Sequence, residues 1–330
     1  MKLSIVIICW NDWKVIENCL ASIYSGTKST DFEVIVSDNG SEDDSPARIR
    51  RHFPQVRVVE NGKNLGFAKG NNAGISKAQG EYTLILNPDT IVHDATIDKL
   101  VAFAERHPEA GGFGCRVLNP DGSYQEAARP FPTLSRDLIA ALYLRPLGML
   151  TDTFVSDKYM RWHGDTERTI DWQSGCCVMF RTAMLNMLGG FDEQFFYHFE
   201  EVDLCRRVWA TGHSIVFSPE PTIIHLGGQS VKRFPVRFEL ERNRSRYRYY
   251  HKHFGPTACA RCRIVSLVWL RIRQFGYSIV QLLMNDETIR QRIAMYRLVA
   301  DWTTRLDPVK FVEIGEEPVV PGAAGQAASA

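Results

Sequence analysis

A lone carboxylate follows an apolar run at residues 84–90, which read LILNPDT. The first three residues have the character of a buried strand, and Pro88 ends the pairing because it has no backbone N–H. Asp89 comes directly afterwards. Such a carboxylate is a hard oxygen ligand that, together with diphosphate oxygens and water, can hold Mg²⁺ or Mn²⁺. The segment therefore predicts a divalent-metal site to which the protein contributes one carboxylate.

A second pair of acids, Glu200 and Glu201, opens a predicted helix directly behind the aromatic run FFYHF. A glutamate in apolar surroundings has a raised pKa and can act as a general base. Adjacent helical residues point in different directions, so we expect one of the two to face a cleft and the other to support the structure. A salt bridge to Arg206 or Arg207 is the structural alternative.

Three further features can contact an anionic ligand. His225 ends a predicted strand and can supply a nitrogen ligand to a metal, although a lone histidine is more often structural. Asp38 follows a buried strand, where its carboxylate either accepts hydrogen bonds from a base or ribose or only shapes an Asx-turn. The segment NLGFAKGNN at residues 64–72 opens a helix, and glycine with a helix N-terminus suits a phosphate group.

Strands alternate with helices along the first third of the chain, which predicts an open, mostly parallel α/β sheet. The strands are predicted at residues 3–8, 32–37, 56–60 and 82–86, and the helices at residues 12–25, 45–53, 68–78 and 96–107. Ligands of such sheets bind beyond the carboxyl ends of the strands. Each of these strands is followed by polar residues, which are Trp10-Asn11, Asp38-Asn39, residues 64–67 and Asn87-Asp89.

The alternation weakens after residue 115. Asn119-Pro120-Asp121-Gly122 predicts a hairpin turn. Further strands are predicted at residues 172–180, 215–217 and 222–225, and helices at residues 135–144, 182–188 and 200–210.

The bulk composition is that of a globular protein with one large domain and an appendage. The chain has 330 residues, a formal net charge of +1, 45% hydrophobic and 23% charged residues, so nothing indicates nucleic-acid binding. No run is long enough to span a membrane, and residues 3–8 lack the flanks of a signal peptide. We therefore expect a cytoplasmic protein whose eight cysteines are mostly reduced core thiols.

Two features of the C-terminal third leave alternatives open. Cys259 and Cys262 form a C-x-x-C pair that could bind zinc with His251 and His253, although such spacings arise easily by chance. From residue 231 onward, basic and aromatic residues interleave, which is typical either of a helix lying on an anionic membrane or of packed helices with a solvated basic face. The small, polar residues at the chain's end predict disorder.

Taken together, these residues resemble family 2 glycosyltransferases, and most closely their bacterial rhamnosyltransferase branch. The resemblance is carried, from residue 3 to about residue 230, by the segments IVIICWN, SDNGS, NLGFAKGN, LNPD, FDE and FEEVDL. It implies a GT-A domain over residues 1–230, a basic, aromatic helical region over residues 231–313 and a disordered tail over residues 314–330. The oligomeric state is left open.

The resemblance also implies roles for individual residues. Asp89 stands at the last position of the family's D-x-D metal motif, with Asn87 in place of the first aspartate, and His225 matches a histidine that helps hold metal and diphosphate. Glu201 falls where the family has its catalytic base, usually an aspartate. The implied donor-binding residues are Trp10, Asn11, Asp38, Asn39, Asn64, Gly66, Phe67, Asn71, Asn87 and Asp89, and the acceptor side is Trp172, Gly175 and Glu200.

The implied reaction is an inverting sugar transfer that uses Mg²⁺ or Mn²⁺. The favoured donor is dTDP-L-rhamnose, and the acceptor is a growing cell-surface glycan on a polyprenyl-diphosphate carrier at the cytoplasmic face of the inner membrane. A UDP-hexose or galactofuranose donor is one alternative. The other is a non-catalytic nucleotide-sugar-binding protein.

Overall fold

The computed structural model describes residues 1–149, 157–227, 234–284 and 286–319. The chain divides into two compact units, of which the first comprises residues 1–131 with 161–229 and the second comprises residues 132–160 with 230–330. The sequence predicted that residues 132–160 belong to the domain spanning residues 1–230. In the structure they group with the C-terminal helices. The two units are described separately.

Strands and helices alternate through the first half of the first unit. The elements are β1 (Leu3–Cys9), α1 (Trp13–Gly26), β2 (Phe32–Asp38), α2 (Ser45–His52), β3 (Arg57–Glu60), α3 (Gly66–Ile75), β4 (Tyr82–Leu86), β5 (Thr90–Val92) and α4 (Thr96–Arg106). The strands predicted here are confirmed to within one residue at each end, because each is a short apolar run bounded by polar or turn residues. The three-residue strand β5, which follows Asp89, was not predicted.

Longer and shorter strands follow in the remainder of the chain. They are β6 (Ala110–Leu118), β7 (Ala128–Arg129), then α5 (Leu134–Ala141) and a 3₁₀ turn (Arg145–Met149) of the second unit, then β8 (Arg168–Ile170), β9 (Trp172–Gln173), β10 (Cys177–Arg181), α6 (Thr182–Leu188), α7 (Glu200–Ala210) and β11 (Ser214–His225). The turn at residues 119–122 is confirmed, because the N–H of Asn119 donates to the carbonyl of Ser123.

One mixed sheet forms the centre of the first unit. Its strand order is β3-β2-β1-β4-β10-β6-β11-β5, and β8 pairs with β11. β1, β2, β3 and β4 are parallel, whereas β10 is antiparallel to both β4 and β6. Since Cys9 pairs with Asp38 and Ile7 pairs with Leu86, the polar residues that follow β1, β2 and β4 emerge at one edge of the sheet. This edge is where ligands of such sheets bind.

Burial of the strands and one helix face holds this unit together. All five residues of β4 are buried, and α1 buries Ile16, Cys19, Leu20 and Ile23 at helical spacing. Each large aliphatic side chain removed from water contributes roughly 1.5–3 kcal/mol relative to an exposed one. The rigid sheet can therefore carry functional loops that are themselves held by few contacts.

Helices make up the described part of the second unit beyond residue 234. They are α8 (Pro235–Leu283), α9 (Glu287–Arg305) and α10 (Pro308–Ile314), and α8 is broken at Gly255, whose φ is 81°. Several arginines of α8 stack on aromatic rings of the same unit: Arg242 on Trp269, Arg244 on Trp302 and Arg248 on Phe311. The interleaved basic and aromatic residues of this stretch are therefore packed together. The start of the predicted basic, aromatic region, residues 231–233, and most of the predicted disordered tail, residues 320–330, lie outside the described residues.

Neither a zinc site nor a membrane span is found in the part of the chain that the structure describes. Cys259 and Cys262 are buried, and the thiol of Cys259 donates to the carbonyls of Tyr247 and Pro308. His251 instead contacts Glu313, and no three His, Cys, Asp or Glu residues of the described ranges are grouped to hold a metal. Among the same residues, no helix is both long and apolar enough to cross a bilayer.

Candidate active site

Asp38, at the end of β2, forms the Asx-turn that was one of its two predicted roles. One carboxylate oxygen, Oδ2, accepts the N–H groups of Gly40 and Ser41 at 3.1 and 3.0 Å, which is an Asx-turn. The other, Oδ1, is buried without a hydrogen-bond partner. A buried acceptor without a donor is costly, so this oxygen suits a ligand N–H or O–H.

Two asparagines predicted to bind the donor, Asn11 and Asn39, make hydrogen bonds that hold neighbouring loops. Asn11 has a positive φ of 55°, and its Oδ1 accepts the backbone N–H groups of Glu42 and Asp43. Asn39 donates to the carbonyl of Gly66 at 3.0 Å and accepts from Asn61 at 2.9 Å. Asn11 thus holds its loop through Oδ1, whereas Asn39 uses both its Nδ2 and its Oδ1 within the protein. Trp10 is half-buried beside them, directly after β1.

The glycine of the NLGF segment is needed for contact with a neighbouring loop. Gly66 has a φ of +81°, and a β-carbon there would lie 2.5 Å from the carbonyl oxygen of Phe196. Its N–H is accepted by Asn64 at 3.0 Å, and the N–H of Phe67 donates to Phe196 at 2.7 Å. Close approach at this position is thus to Phe196, whereas the sequence suggested approach to a nucleotide.

Asn71, one turn further along α3, faces the same region. It is fully buried, and its Nδ2 donates to the carbonyl of Phe67 at 2.9 Å. Its Oδ1 is buried without a hydrogen-bond partner. This second unsatisfied acceptor, like that of Asp38, suits a donor group of a ligand.

The segment LILNPDT brings Asn87 and Asp89 to the end of β11. Its backbone is fixed at both ends, because the N–H of Asn87 donates to Cys176 and the carbonyl of Asp89 accepts from Leu226. Oδ1 of Asp89 lies 3.2 Å from Nε2 of His225, and Nδ2 of Asn87 lies 3.4 Å from the same nitrogen. Two residues far apart in sequence thus meet at one point.

Asp89 and His225 fit a divalent cation. A carboxylate oxygen and an imidazole nitrogen are both ligands of Mn²⁺, and adjacent ligands of an octahedral ion bound at about 2.1 Å are roughly 3 Å apart. The observed separation of 3.2 Å is close to that value. Other ligands would have to come from diphosphate and water, because the described residues supply no third acid, histidine or cysteine there.

Glu200 and Glu201 are both buried at the start of α7. Burial raises the pKa of Glu200 well above its usual range, and the neighbouring charge of Glu201 adds to this. Burial also raises the pKa of Glu201, to about 6, although hydrogen bonds from the backbone and the charge of Arg129 oppose the shift. One oxygen of each carboxyl has no hydrogen-bond partner. The charge of the pair therefore resides mainly on Glu201 at neutral pH.

The backbone in front of this pair is strained. His198 and Phe199 both have positive φ angles, 65° and 68°, which non-glycine residues rarely adopt. The salt bridge that sequence reasoning offered as the structural alternative for the glutamates is made by another acid: Asp203 binds Arg207 at 2.8 Å. Arg206 stacks on Phe131.

Asp89 and the two glutamates lie close enough to affect the same groups. Burial raises the pKa of Cys176 to about 12, and the charges of Asp89 and Glu201 add to this shift. Burial and the charges of Glu200, Glu201 and Asp89 raise the pKa of Tyr197. The structure therefore brings the predicted base and the predicted metal ligand to one site. Tyr197 and Cys176 were not singled out as site residues, although Tyr197 lies in the aromatic run.

Of the predicted acceptor-side residues, Trp172 lies in β9, Gly175 lies on the loop that joins β9 to β10, and Glu200 begins α7. A β-carbon at Gly175 would lie 3.0 Å from the ring of Phe67 and 3.9 Å from the side chain of Glu201, so this glycine lets both approach. Trp172 donates to the carbonyl of Pro130 at 2.9 Å and stacks with Arg129. Phe67, which was predicted to bind the donor, is thus next to Gly175, which was predicted to lie on the acceptor side.

Comparisons of the whole fold give the class of protein. A mannosyltransferase of Pyrobaculum calidifontis, solved with GDP-Man and Mn²⁺, matches with a TM-score of 0.55 and 15% identity over 96% of this chain and 88% of its own. Staphylococcus aureus TarS, residues 1–349, matches with a TM-score of 0.50 and 14% identity over 92% of each chain. The fold is that of the GT-A glycosyltransferases.

Sequence comparisons then give the family. The model described as Glycosyl transferase family 2 matches residues 4–185. The N-acetylglucosaminyl-diphospho-decaprenol L-rhamnosyltransferase of Mycobacterium tuberculosis is 30% identical over 256 residues, 74% of this chain and 82% of that enzyme. Rhamnosyltransferase WbbL of Escherichia coli K12 is 24% identical over 66% of this chain and 81% of its own. The chain belongs to glycosyltransferase family 2 and is a glycosyltransferase similar to rhamnosyltransferases, so the non-catalytic alternative is not supported.

Proposed function

We propose that this glycosyltransferase moves L-rhamnose from dTDP-L-rhamnose, with inversion, to a hydroxyl of a glycan carried on a polyprenyl diphosphate. The observation that carries the proposal is the pairing of a buried base, Glu201, with a separate cation-binding pair, Asp89 and His225. The rhamnose donor and the lipid-linked acceptor are supported by the named activity of the Mycobacterium tuberculosis relative. UDP-hexose and galactofuranose donors remain the alternatives.

The donor nucleotide is held at the end of β2 and in the middle of α3. The unpaired Oδ1 of Asp38 accepts the N3–H group that thymine and uracil present, which favours a pyrimidine nucleotide. The unpaired Oδ1 of Asn71 accepts a hydroxyl or amide of the donor. Asn11, Asn39, Asn64 and Gly66 contribute by fixing the loops around these acceptors.

The transfer step needs a base and a stabilised leaving group. Glu201 accepts the proton of the acceptor hydroxyl. The oxygen of that hydroxyl attacks the anomeric carbon from the face opposite the diphosphate. The bond to the diphosphate breaks, the nucleoside diphosphate leaves, and the anomeric configuration inverts. Asp89 and His225 are the residues that would hold Mg²⁺ or Mn²⁺, and the metal would supply positive charge to stabilise the leaving diphosphate. Glu200 stays protonated beside the base, and Trp172 and Gly175 border the acceptor.

The lipid-linked acceptor requires access to a membrane surface, and the end of α8 fits that surface. Phe275, Ile279 and Leu282 fall on one face of this helix and are 69%, 45% and 86% exposed. Leu283 and Met284 beside them are 82% and 58% exposed. Residues 271–305 contain six arginines and three acidic residues. An exposed apolar face flanked by arginines suits the anionic cytoplasmic face of the inner membrane.

A donor screen tests the proposal. The full-length protein is incubated with a synthetic N-acetylglucosaminyl-diphospho-polyprenol, Mg²⁺ or Mn²⁺, and one of dTDP-rhamnose, UDP-glucose, UDP-galactose or UDP-galactofuranose. We expect nucleoside diphosphate release and a mass increase of one deoxyhexose with dTDP-rhamnose alone, and loss of both with EDTA. Transfer of a UDP-sugar in place of rhamnose, or undiminished rates in EDTA, would contradict the donor or the metal assignment respectively.

A further inference from the structure

The ring of His225 contacts a residue that no motif pointed to. Its Nδ1 lies 2.6 Å from Oε1 of Gln125, a half-buried residue just after the hairpin turn at residues 119–122. The direction of this hydrogen bond determines which ring nitrogen carries the hydrogen, and hence which one has a lone pair. That direction follows from the side chains around Gln125.

A chain of hydrogen bonds in the hairpin starts from an acceptor that cannot donate. The ionised carboxylate of Asp121 accepts the hydroxyl of Ser123 at 2.6 Å, which uses the only hydroxyl hydrogen of that serine. The oxygen of Ser123 must then accept from Nδ2 of Asn119, at 2.9 Å. The amide oxygen of Asn119 consequently faces Gln125 and accepts from its Nε2 at 2.8 Å.

A second contact fixes Gln125 in the same orientation. Its Nε2 lies 3.3 Å from the backbone carbonyl oxygen of His225, which can only accept. With Nε2 committed to two acceptors, the amide oxygen of Gln125 points to the ring. An amide oxygen cannot donate, so Nδ1 of His225 must carry the hydrogen.

The other ring nitrogen is then left with its lone pair toward Asp89. In the neutral ring Nε2 is an acceptor, and it lies 3.2 Å from the acceptor Oδ1 of Asp89. Two acceptors at this distance suit a cation between them. Histidines that bind metals in proteins generally donate their second ring N–H to a fixed neighbour, which orients the ring and selects the tautomer.

We propose that Gln125 is a positioning residue that holds His225 as the Nδ1–H tautomer and aims Nε2, with Asp89, at a divalent cation. Asp121, Ser123 and Asn119 set its direction from the hairpin turn. The inference rests on the proposed function only in assigning that cation to the donor diphosphate. The orientation of the ring is a property of the protein before any ligand binds.

Nuclear magnetic resonance of the metal-free, full-length protein reads the tautomer directly. Long-range ¹H–¹⁵N spectra at pH 8.5 should give a protonated Nδ1 and a bare Nε2 for His225, with His225→Ala identifying the signals. In Gln125→Leu we expect a shift toward the Nε2–H tautomer, while His213, which contacts Thr211, keeps its signals. A bare Nδ1 in the wild type would overturn the proposal.

Metal affinity gives an independent readout. Mn²⁺ binding is followed by electron paramagnetic resonance, with Mn²⁺ alone and with Mn²⁺ plus dTDP. Gln125→Leu should weaken binding about 10- to 100-fold. Gln125→Glu keeps an oxygen facing Nδ1, while its second oxygen meets the amide of Asn119, which must turn to donate to it; with its added negative charge this variant should bind Mn²⁺ at least as tightly as the wild type. Both variants are first compared with the wild type in thermal unfolding. Unchanged Mn²⁺ affinity in a folded Gln125→Leu variant would also overturn the proposal.

These two measurements separate the inference from the proposed reaction, because neither requires sugar transfer. If dTDP-rhamnose is not a donor but the tautomer and Mn²⁺ affinity change as expected, the proposed donor fails and the role of Gln125 stands. If rhamnose is transferred but Nδ1 of wild-type His225 is bare, the proposed donor stands and the role of Gln125 fails.

Discussion

Glu200 and Glu201 illustrate how one environment can separate two identical groups. Both are buried on the first turn of α7, and burial raises the pKa of each. Glu201 also receives hydrogen bonds from the backbone of Gly175 and feels the charge of Arg129, which favour its ionised form. Glu200 is the proton-bearing member, and Glu201 is ionised above about pH 6. This division favours Glu201 as the base.

The raised pKa of Glu201 makes a prediction about stability. The carboxyl's pKa is about 6 in the folded protein against 4.5 ordinarily, so the folded state loses stability as pH rises from 4.5 to 6. Glutamine is neutral throughout, and its oxygen can accept the same backbone N–H groups. Glu201→Gln should therefore be more stable than the wild type above pH 6, by on the order of 2 kcal/mol.

Urea unfolding at pH 4 and pH 8 checks this difference. The gain should be near zero at pH 4, where both states of the wild type are protonated, and fully present at pH 8. Glu42→Gln, a substitution of an exposed acid in the same unit, serves as the comparison. If the gain in free energy of unfolding is the same at both pH values, or if the variant is less stable than the wild type at pH 8, burial does not destabilise the ionised form of Glu201.

Residue types and positions pointed to Asp89, Glu201 and His225 because each is a reactive side chain at the end of a predicted strand or the start of a predicted helix. The structure brings them together. The sequence could not have shown the contact between Asp89 and His225, since the two residues are 136 positions apart in the chain. Gln125 carries no signal of its own. Its importance depends on which way its amide points, and that depends on the folded hairpin.

At the scale of elements, the parallel half of the sheet could be predicted because its strands are short, mostly apolar runs bounded by polar loops. The antiparallel part of the sheet could not be predicted in the same way. The strand predicted over residues 172–180 is wrong, because Ser174–Cys176 form a turn and the two halves, β9 and β10, pair in different sheets. The strands predicted at residues 215–217 and 222–225 are one strand, β11, whose shifted register accommodates Pro219 and Pro221.

The end of α8 carries the membrane part of the proposal, and two of its residues test it. The double variant Leu282→Glu with Leu283→Glu places charges where we expect lipid contact. Because burying each leucine contributes roughly 1.5–3 kcal/mol, binding to vesicles of mixed neutral and anionic lipid should fall at least about tenfold. Co-sedimentation at moderate salt measures this.

Ile314→Glu is the matched control, since Ile314 is also exposed, at 71%, but lies on α10 away from this face. It should bind vesicles like the wild type. If the double variant sediments as strongly as the wild type, or if Ile314→Glu loses as much binding, the end of α8 is not the membrane contact.

On the scale of the whole molecule, the first unit contains all the residues assigned to donor, acceptor, metal and base. The sheet edge collects them from widely separated segments: Asp38 after β2, Asp89 after β4, His225 at the end of β11 and Glu201 at the start of α7. The family, the GT-A fold and the general reaction follow from this arrangement and the comparisons.

The turnover of Glu201→Gln, compared with Glu200→Gln, tests the central claim most directly. With the donor and acceptor found active in the screen, Glu201→Gln should lose about 10²- to 10⁴-fold in kcat, while donor affinity by calorimetry stays near the wild-type value. Glu200→Gln replaces a carboxyl that is already protonated and should retain most activity. A Glu201→Gln variant that turns over like the wild type, or a Glu200→Gln variant that alone is inactive, would contradict the assignment of Glu201 as the base.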